Sequence, residues 1–325
     1  MEAKKKKTLT IIIPTWNRAR YLEKNLEILD SYLKRGLDFK ILVCNNGSTD
    51  STAEVLKKYE GHPHVRIISH PENIKYDRNV ASGYLNFDTD FCFCLGDTKS
   101  LSYDSLSKML ATINDEDIDA LIIKTTSIIN KPVTYYTDIN DLLFEIGWPL
   151  TNISSCVIPK RFITENRCVR YYDSLFIHFG VVIDALSMQN DIKVKYDPTI
   201  EKEIVKVADE QQPHGWISNA CNVWGRYWVA FVLSLPWRVT LETKFKVIQD
   251  ANKYYKFLSP GKFVYAKINF DEQFFKGYKE NRHFMPFVSS CPLFIYDIIS
   301  FVPSILYQWM RPILRLAPKY GKNIL

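Results

Sequence analysis

The sequence predicts an α/β fold: a mainly parallel sheet covered by helices on both faces, followed by a C-terminal helical, aromatic-rich extension. Three observations carry this. Short apolar runs alternate with helical stripes over residues 8–124. Those runs are almost free of polar residues, as strands buried on both faces are. Beyond about residue 200 the alternation stops, and Trp216, Trp224, Trp228 and Trp237 crowd one region.

The elements follow in order. Residues 8–13 form the first strand, and Leu22, Leu26, Leu29 and Leu33 then share one helical stripe. Residues 39–44 are a second strand, followed by a polar turn and a helix over 51–59. A third strand spans 65–69, a helix 77–85, a fourth strand 91–95, a helix 103–113 and a fifth strand 120–124. The pattern then loosens, with a helix over 140–146, a strand at 156–158, a helix over 174–188 and a strand at 192–196. Two helical stretches, 241–256 and 292–310, complete the chain. The organisation expected is an α/β domain over 1–235 and a helical extension over 236–325.

Composition narrows the function. With 46% apolar and 24% charged residues the 325-residue chain is globular. A net charge of +6 is too mild to point to nucleic acid. The charge is unevenly placed: Lys4 to Lys7 open the chain, and five basic residues against the single acid Asp297 occupy 281–325. Basic ends suit an anionic membrane surface, or merely keep the ends in solution. The apolar stretch 9–13 is too short for a secretory h-region, and seven scattered cysteines without a Cys-x-x-Cys fit a reduced, cytoplasmic protein without a zinc site.

Ligands of such sheets sit at the carboxyl ends of the strands. The loop after the first strand is Pro14-Thr15-Trp16-Asn17-Arg18, where Arg18 can meet a phosphate. After the second comes Asn45-Asn46-Gly47-Ser48-Thr49-Asp50, a capped turn in which Asn46 can meet the edge of a base. After the fourth comes Leu95-Gly96-Asp97-Thr98-Lys99. Asp88-Thr89-Asp90 precedes that strand and so reads as a turn at the wrong end of the sheet.

In this order and spacing, and with Glu72-Asn73 between them, these segments resemble family 2 glycosyltransferases over roughly residues 8–200. Asn73-Ile74-Lys75-Tyr76-Asp77-Arg78-Asn79 resembles the N-x-G-x-D-x-N stretch of the abequosyltransferase-like branch, whose members build bacterial surface polysaccharides such as lipopolysaccharide or capsule. The resemblance implies the GT-A fold, a nucleotide-diphosphate-sugar donor and inversion at the anomeric carbon. It divides the domain into a nucleotide-sugar half, 8–124, and an acceptor half, 125–235. It implies a donor pocket of Pro14, Thr15, Asn17, Arg18, Asn46, Asp77, Asn79, Gly96, Asp97 and Thr98. For Asp77 and Asn79 the alternative is a polar helix start.

The sequence departs from the family at its metal motif, where only Asp97 survives of an acidic pair or triplet. Asp97 is the expected ligand of Mg²⁺ or Mn²⁺, with Lys99 as an alternative source of positive charge. The Glu-Asp pair that usually supplies the base is also missing. His178, in Phe176-Ile177-His178, is the first candidate for the base, with metal ligation or a structural role as alternatives. Asp173 is the second candidate, or the cap of the next helix. His214 and Trp216 are candidates for acceptor contacts. The stretch 287–310 is apolar but broken by Pro292, Asp297 and Pro303. It reads as an in-plane amphipathic segment on a membrane, or as helices packed on the domain or on a second copy in a homo-oligomer. The expectation is therefore a hexosyl- or deoxyhexosyltransferase, peripheral on the inner face of the cell membrane, acting on a lipid-linked or polysaccharide acceptor. A degenerate nucleotide-binding or scaffolding module is the alternative; a sugar nucleotidyltransferase lacks support because no Gly-rich basic loop follows the first strand.

Overall fold

The computed structural model describes residues 6–207 and 218–309. It divides into two compact units, Met1–Glu210 with Leu235–Val239, and Gln211–Ser234 with Thr240–Leu325. The chain thus first leaves the α/β unit some 25 residues before position 235, then returns to it for one short segment.

The first unit begins β1 (Leu9–Thr15), α1 (Ala19–Lys34), β2 (Lys40–Asn45), α2 (Thr52–Lys57), β3 (Val65–Ser69), α3 (Tyr76–Asn86) and β4 (Phe91–Cys94). There follow β5 (Lys99–Leu101), α4 (Tyr103–Asp115), β6 (Ala120–Lys124), β7 (Thr134–Tyr136) and α5 (Ile139–Ile146). It ends β8 (Cys156–Pro159), α6 (Glu165–Arg170), α7 (Ile177–Ser187) and β9 (Val194–Ile204). The sheet runs β3-β2-β1-β4-β8-β6-β9, with β5 and β7 both antiparallel to β9.

β3, β2, β1 and β4 are parallel, with Ile12 opposite both Leu42 and Cys94. Both faces of β2, β1 and β4 are covered, which is why these strands read as nearly unbroken apolar runs, while the edge strand β3 is half-exposed. Leu9, Ile11 and Ile13 join Leu22, Leu26 and Leu29 in one buried cluster, while Ile12 points the other way and lies against Gly83 of α3. β8 is inserted antiparallel between β4 and β6.

Two expected elements end differently. The strand expected at 192–196 continues to Ile204. Its register against β6 shifts between Ile123 and Lys124, where Asp197 Oδ1 accepts the N–H of Thr199 at 3.0 Å and closes the bulge. Past the bulge, β9 leaves β6 and pairs with β5. The helix expected from 174 starts only at Ile177, because Asp173 and Leu175 have positive φ (60° and 69°) and form a tight turn instead.

In the second unit a π-helical turn, Cys221–Tyr227, runs into the helix Trp228–Ser234. Helices Leu241–Tyr255, Pro260–Ile268, Glu272–Asn281, Met285–Val288, Leu293–Phe301 and Ser304–Trp309 follow. Phe263 packs edge-on against Phe274, Tyr278 and Tyr296 with ring centres 4.8–4.9 Å apart. The single stretch expected over 292–310 is two helices among the described residues. Pro303 forces Val302 into an extended conformation (ψ 128°) and ends the first. No helix among the described residues is long and apolar enough to cross a membrane.

Candidate active site at the carboxyl ends of the strands

The loops after β1 and β2 are built as one body. Asn17 takes a positive φ of 53°. Its N–H donates to Ser48 Oγ at 3.0 Å and its Oδ1 accepts the Thr49 N–H at 2.7 Å. Asp50 accepts the N–H groups of Ala19 and Thr52, both at 3.1 Å, so it ties the start of α1 to that of α2. Gly47 has φ 64°, and a Cβ there would overlap the backbone of Glu72; only glycine lets the 72–75 loop come this close. Asn46 is 4% exposed and closes on that loop, donating to Asn73 Oδ1 at 3.0 Å and accepting the Ile74 N–H at 2.9 Å. This corrects its expected role: buried and doubly bonded, Asn46 anchors a loop rather than offering an edge to a base. Asn17 is likewise engaged with the neighbouring loop.

Between Pro14-Thr15 and Arg18 on one side and the end of β4 on the other stands Asp97. Its Oδ2 accepts the Thr15 hydroxyl at 3.1 Å. Burial pushes its pKa up to about 6, with Arg18 and Thr15 pulling the other way. The backbone here is pinned: Asn25, fully buried on α1, donates to the carbonyls of Lys99 (2.6 Å) and Asp97 (3.4 Å). The Gly96 N–H donates to Ser154 Oγ at 2.9 Å, and the Thr98 carbonyl accepts the Val205 N–H at 3.0 Å. Thr15, Arg18, Gly96, Asp97 and Thr98 are thus brought together at the carboxyl ends of β1 and β4. Asp88 and Asp90 are at the opposite end of the strands, occupied by Lys40 (2.8 Å) and by the N–H of Thr8 (2.9 Å).

The second part of the site joins α3 to the start of α7. Asp77 is buried and accepts the N–H groups of Leu175 (2.8 Å) and Ile177 (3.3 Å), holding the turn before α7. Its burial raises its pKa to about 6 against those bonds. Asn79 donates to the Cys44 carbonyl at 3.0 Å and fastens α3 to β2. In the free protein both side chains hold helices in place, the polar helix start that was the alternative to a place in the donor pocket.

His178 is 5% exposed. Its Nδ1 meets the Tyr76 hydroxyl at 3.0 Å and its Nε2 meets the Thr151 carbonyl at 3.0 Å. A carbonyl only accepts, so Nε2 carries the proton and Nδ1 accepts from Tyr76. Burial lowers its pKa to about 4. A base needs an available lone pair and a pKa near the working pH. His178 has neither, so its expected role as the base is corrected to that of a strut between α3, Thr151 and α7. Asp173, by contrast, is exposed at the tip of the turn. Arg78 (2.9 and 3.1 Å) and Lys75 (3.2 Å) hold it, and they keep its pKa down to about 2. His214 and Trp216 lie outside the described residues.

Among the described residues, the side chains do not fit a divalent ion held by the protein alone. Asp97 is a lone carboxylate already bonded by Thr15, and among the described residues no group of three His, Cys, Asp or Glu side chains converges. The cation that sequence reasoning missed is Lys202, whose Nζ donates to Asn152 Oδ1 (3.2 Å) and the Ser154 carbonyl (3.4 Å).

The profile described as "Glycosyl transferase family 2" matches residues 10–182. The abequosyltransferase RfbV of Salmonella typhimurium is 32% identical over 113 residues, 34% of this chain and 34% of that protein. The match therefore spans about a third of that relative's length. Among solved structures, Staphylococcus aureus TarS 1–349 in complex with UDP-GlcNAc superposes with a TM-score of 0.58 at 14% identity, covering 94% of this chain and 92% of that one. The mannosyltransferase PcManGT of Pyrobaculum calidifontis, in complex with GDP-Man and Mn²⁺, does so with a TM-score of 0.50 at 11% identity, covering 96% and 86%. At these identities the structural matches establish the GT-A fold.

Proposed function

The chain belongs to glycosyl transferase family 2, and from that premise we propose that it transfers a sugar, with inversion, from a nucleotide-diphosphate-sugar donor to a lipid-linked or polysaccharide acceptor in bacterial surface-glycan synthesis. The observation that carries this reading is the convergence of Thr15, Arg18 and Asp97 at the carboxyl ends of β1 and β4; a second polar element is the Asp173 turn, which Asp77 of α3 holds through the Leu175 N–H. The donor lies over the first three residues. The acceptor oxygen forms its bond to the anomeric carbon as the bond from that carbon to the β-phosphate oxygen breaks, and the electron pair leaves with the nucleoside diphosphate. The acceptor proton passes to a base, for which Asp173 is the remaining candidate: it is exposed and ionised, and an acceptor must displace Arg78 or Lys75 from it, since in the free protein they hold its carboxylate and keep its pKa down to about 2. Arg78 also stacks on Tyr172, 4.7 Å from its ring centre.

The second unit supports docking on a membrane from the cytoplasmic side. Phe294, Ile298 and Phe301 fall at helical spacing on one exposed side of Leu293–Phe301, Phe301 being 83% exposed, and Ile305 and Leu306 are exposed on the next helix.

The test is incubation of the full chain with a panel of nucleotide sugars and extracted lipid-linked acceptors, following release of nucleoside diphosphate. Asp173→Asn should lower kcat by about 10²–10⁴ with donor affinity unchanged. Wild-type protein that binds nucleotide sugar but turns none over would assign the chain to a degenerate binding module instead.

A further inference from the structure

Lys195, a lysine removed from water, is matched by carboxylates: its ammonium lies 2.6 Å from Glu116 and 3.5 Å from Asp197. Lys202, further along the same strand, is treated differently. Its partners are two neutral oxygens, Asn152 Oδ1 and the Ser154 carbonyl, and the charge that bears on it most is that of another lysine, Lys99. The antiparallel ladder explains the pairing. Lys99 lies opposite Ile204 and Leu101 opposite Lys202, so both lysines are on one face of the β5–β9 ribbon as diagonal neighbours. Glu203, opposite Ser100, alternates to the other face, and Glu201 is taken by Lys124 at 2.9 Å. Two partly buried ammonium groups close together without a carboxylate is an unfavourable arrangement in the free protein. It becomes favourable when an anion sits between them.

The place is specific. Ser154, whose carbonyl holds Lys202, uses its hydroxyl to hold the Gly96 N–H, so the Lys202 ammonium is set beside the Gly96–Asp97 turn where the family motif would present its acids. We propose that Lys202, with Lys99, is the cationic part of the donor site. The two side chains take the diphosphate of the nucleotide sugar and offset its charge as it leaves, in place of a protein-held divalent ion. This rests on the reading that the chain binds a nucleotide-diphosphate sugar. Fixed ammonium groups aimed at the leaving oxygens act as preorganised electrostatic stabilisers and need no reorganisation during the step. The loss of all but one acid from the motif fits the same logic, since further carboxylates would neutralise the lysines. Burial lowers the Lys202 pKa to about 7, so the free site is partly deprotonated near neutrality and diphosphate binding should draw a proton onto it.

The experiment is calorimetric titration of the full chain with inorganic pyrophosphate and with UDP, GDP, dTDP and CDP, each in EDTA and each with Mn²⁺. At least one nucleoside diphosphate should bind in EDTA. Lys202→Met should weaken it by tenfold or more, weaken pyrophosphate in parallel, and leave the matching nucleoside almost unaffected. The unliganded variant should melt no lower than wild type, because an unpaired charge has been removed; a merely structural lysine would lower the midpoint and spare the diphosphate selectivity. Should Lys202→Met not fold, Lys99→Met carries the same comparison. Binding that requires Mn²⁺ and is unchanged in the variants overturns the inference and leaves the proposed function standing. Absence of nucleoside diphosphate binding under every condition overturns both.

Discussion

Replacing His178 by Ala tests the reassignment of that residue from base to strut. The substitution removes the imidazole from the Tyr76 hydroxyl and from the Thr151 carbonyl and leaves a cavity among buried side chains. Hydrogen bonds lost in a buried site cost about 1–3 kcal/mol each and the cavity adds about 2, so roughly 4–8 kcal/mol is expected. The loss should depend on pH. With the folded pKa lowered to about 4 and the unfolded value at 6.5, the unfolded chain holds the proton between those limits and the folded chain does not. The contribution of His178 is therefore complete above pH 6.5 and falls by about 3 kcal/mol as the pH drops to 4. Asp77 and Asp97 run the other way: raised to about 6, they protonate first in the folded state, and acidification from pH 6 towards 3.8 favours folding through them. The readout is accordingly the difference between wild-type and variant stability, followed by urea unfolding from pH 7 to 4, in which the two carboxylates cancel. That difference should be largest at pH 7 and shrink on acidification, while turnover per folded molecule stays near wild type. An unchanged midpoint with kcat reduced about 10²–10⁴-fold, and with a rate limb near pH 6.5 abolished, would refute the reasoning and restore His178 as the base.

Asp77→Ala should destabilise the first unit by about 2–6 kcal/mol through the two N–H groups it leaves unpaired, and loosen the Asp173 turn, so that the acceptor KM rises more than the donor KM; equal changes in both would remove Asp77 from acceptor-side positioning. Ile298→Ser with Phe301→Ser should reduce co-sedimentation with anionic phosphatidylglycerol vesicles and leave the elution volume on gel filtration unchanged. A shift to a smaller species with vesicle binding intact would instead assign the face to a second copy of the chain.

The fold was legible in the sequence because it is written in short-range pattern. Apolar runs such as Leu9–Thr15 pack by strand alternation, Leu22, Leu26 and Leu29 by helical period, and a Pro-Thr or Gly-Ser-Thr-Asp turn marks where a strand of a parallel sheet ends. The roles of individual polar residues were decided elsewhere. Asp77 meets Leu175 across 98 residues and His178 meets Tyr76 across 102, so whether each faces a ligand or the interior depends on how α3 and α7 pack and on no neighbour in sequence. Lys202 became visible only when the bulge at Asp197 carried β9 past Pro198 to pair with β5. Local periodicity determined which segments are strands and helices. The tertiary structure decided which side chains are removed from water and what they find there, and that sets both their pKa values and their use.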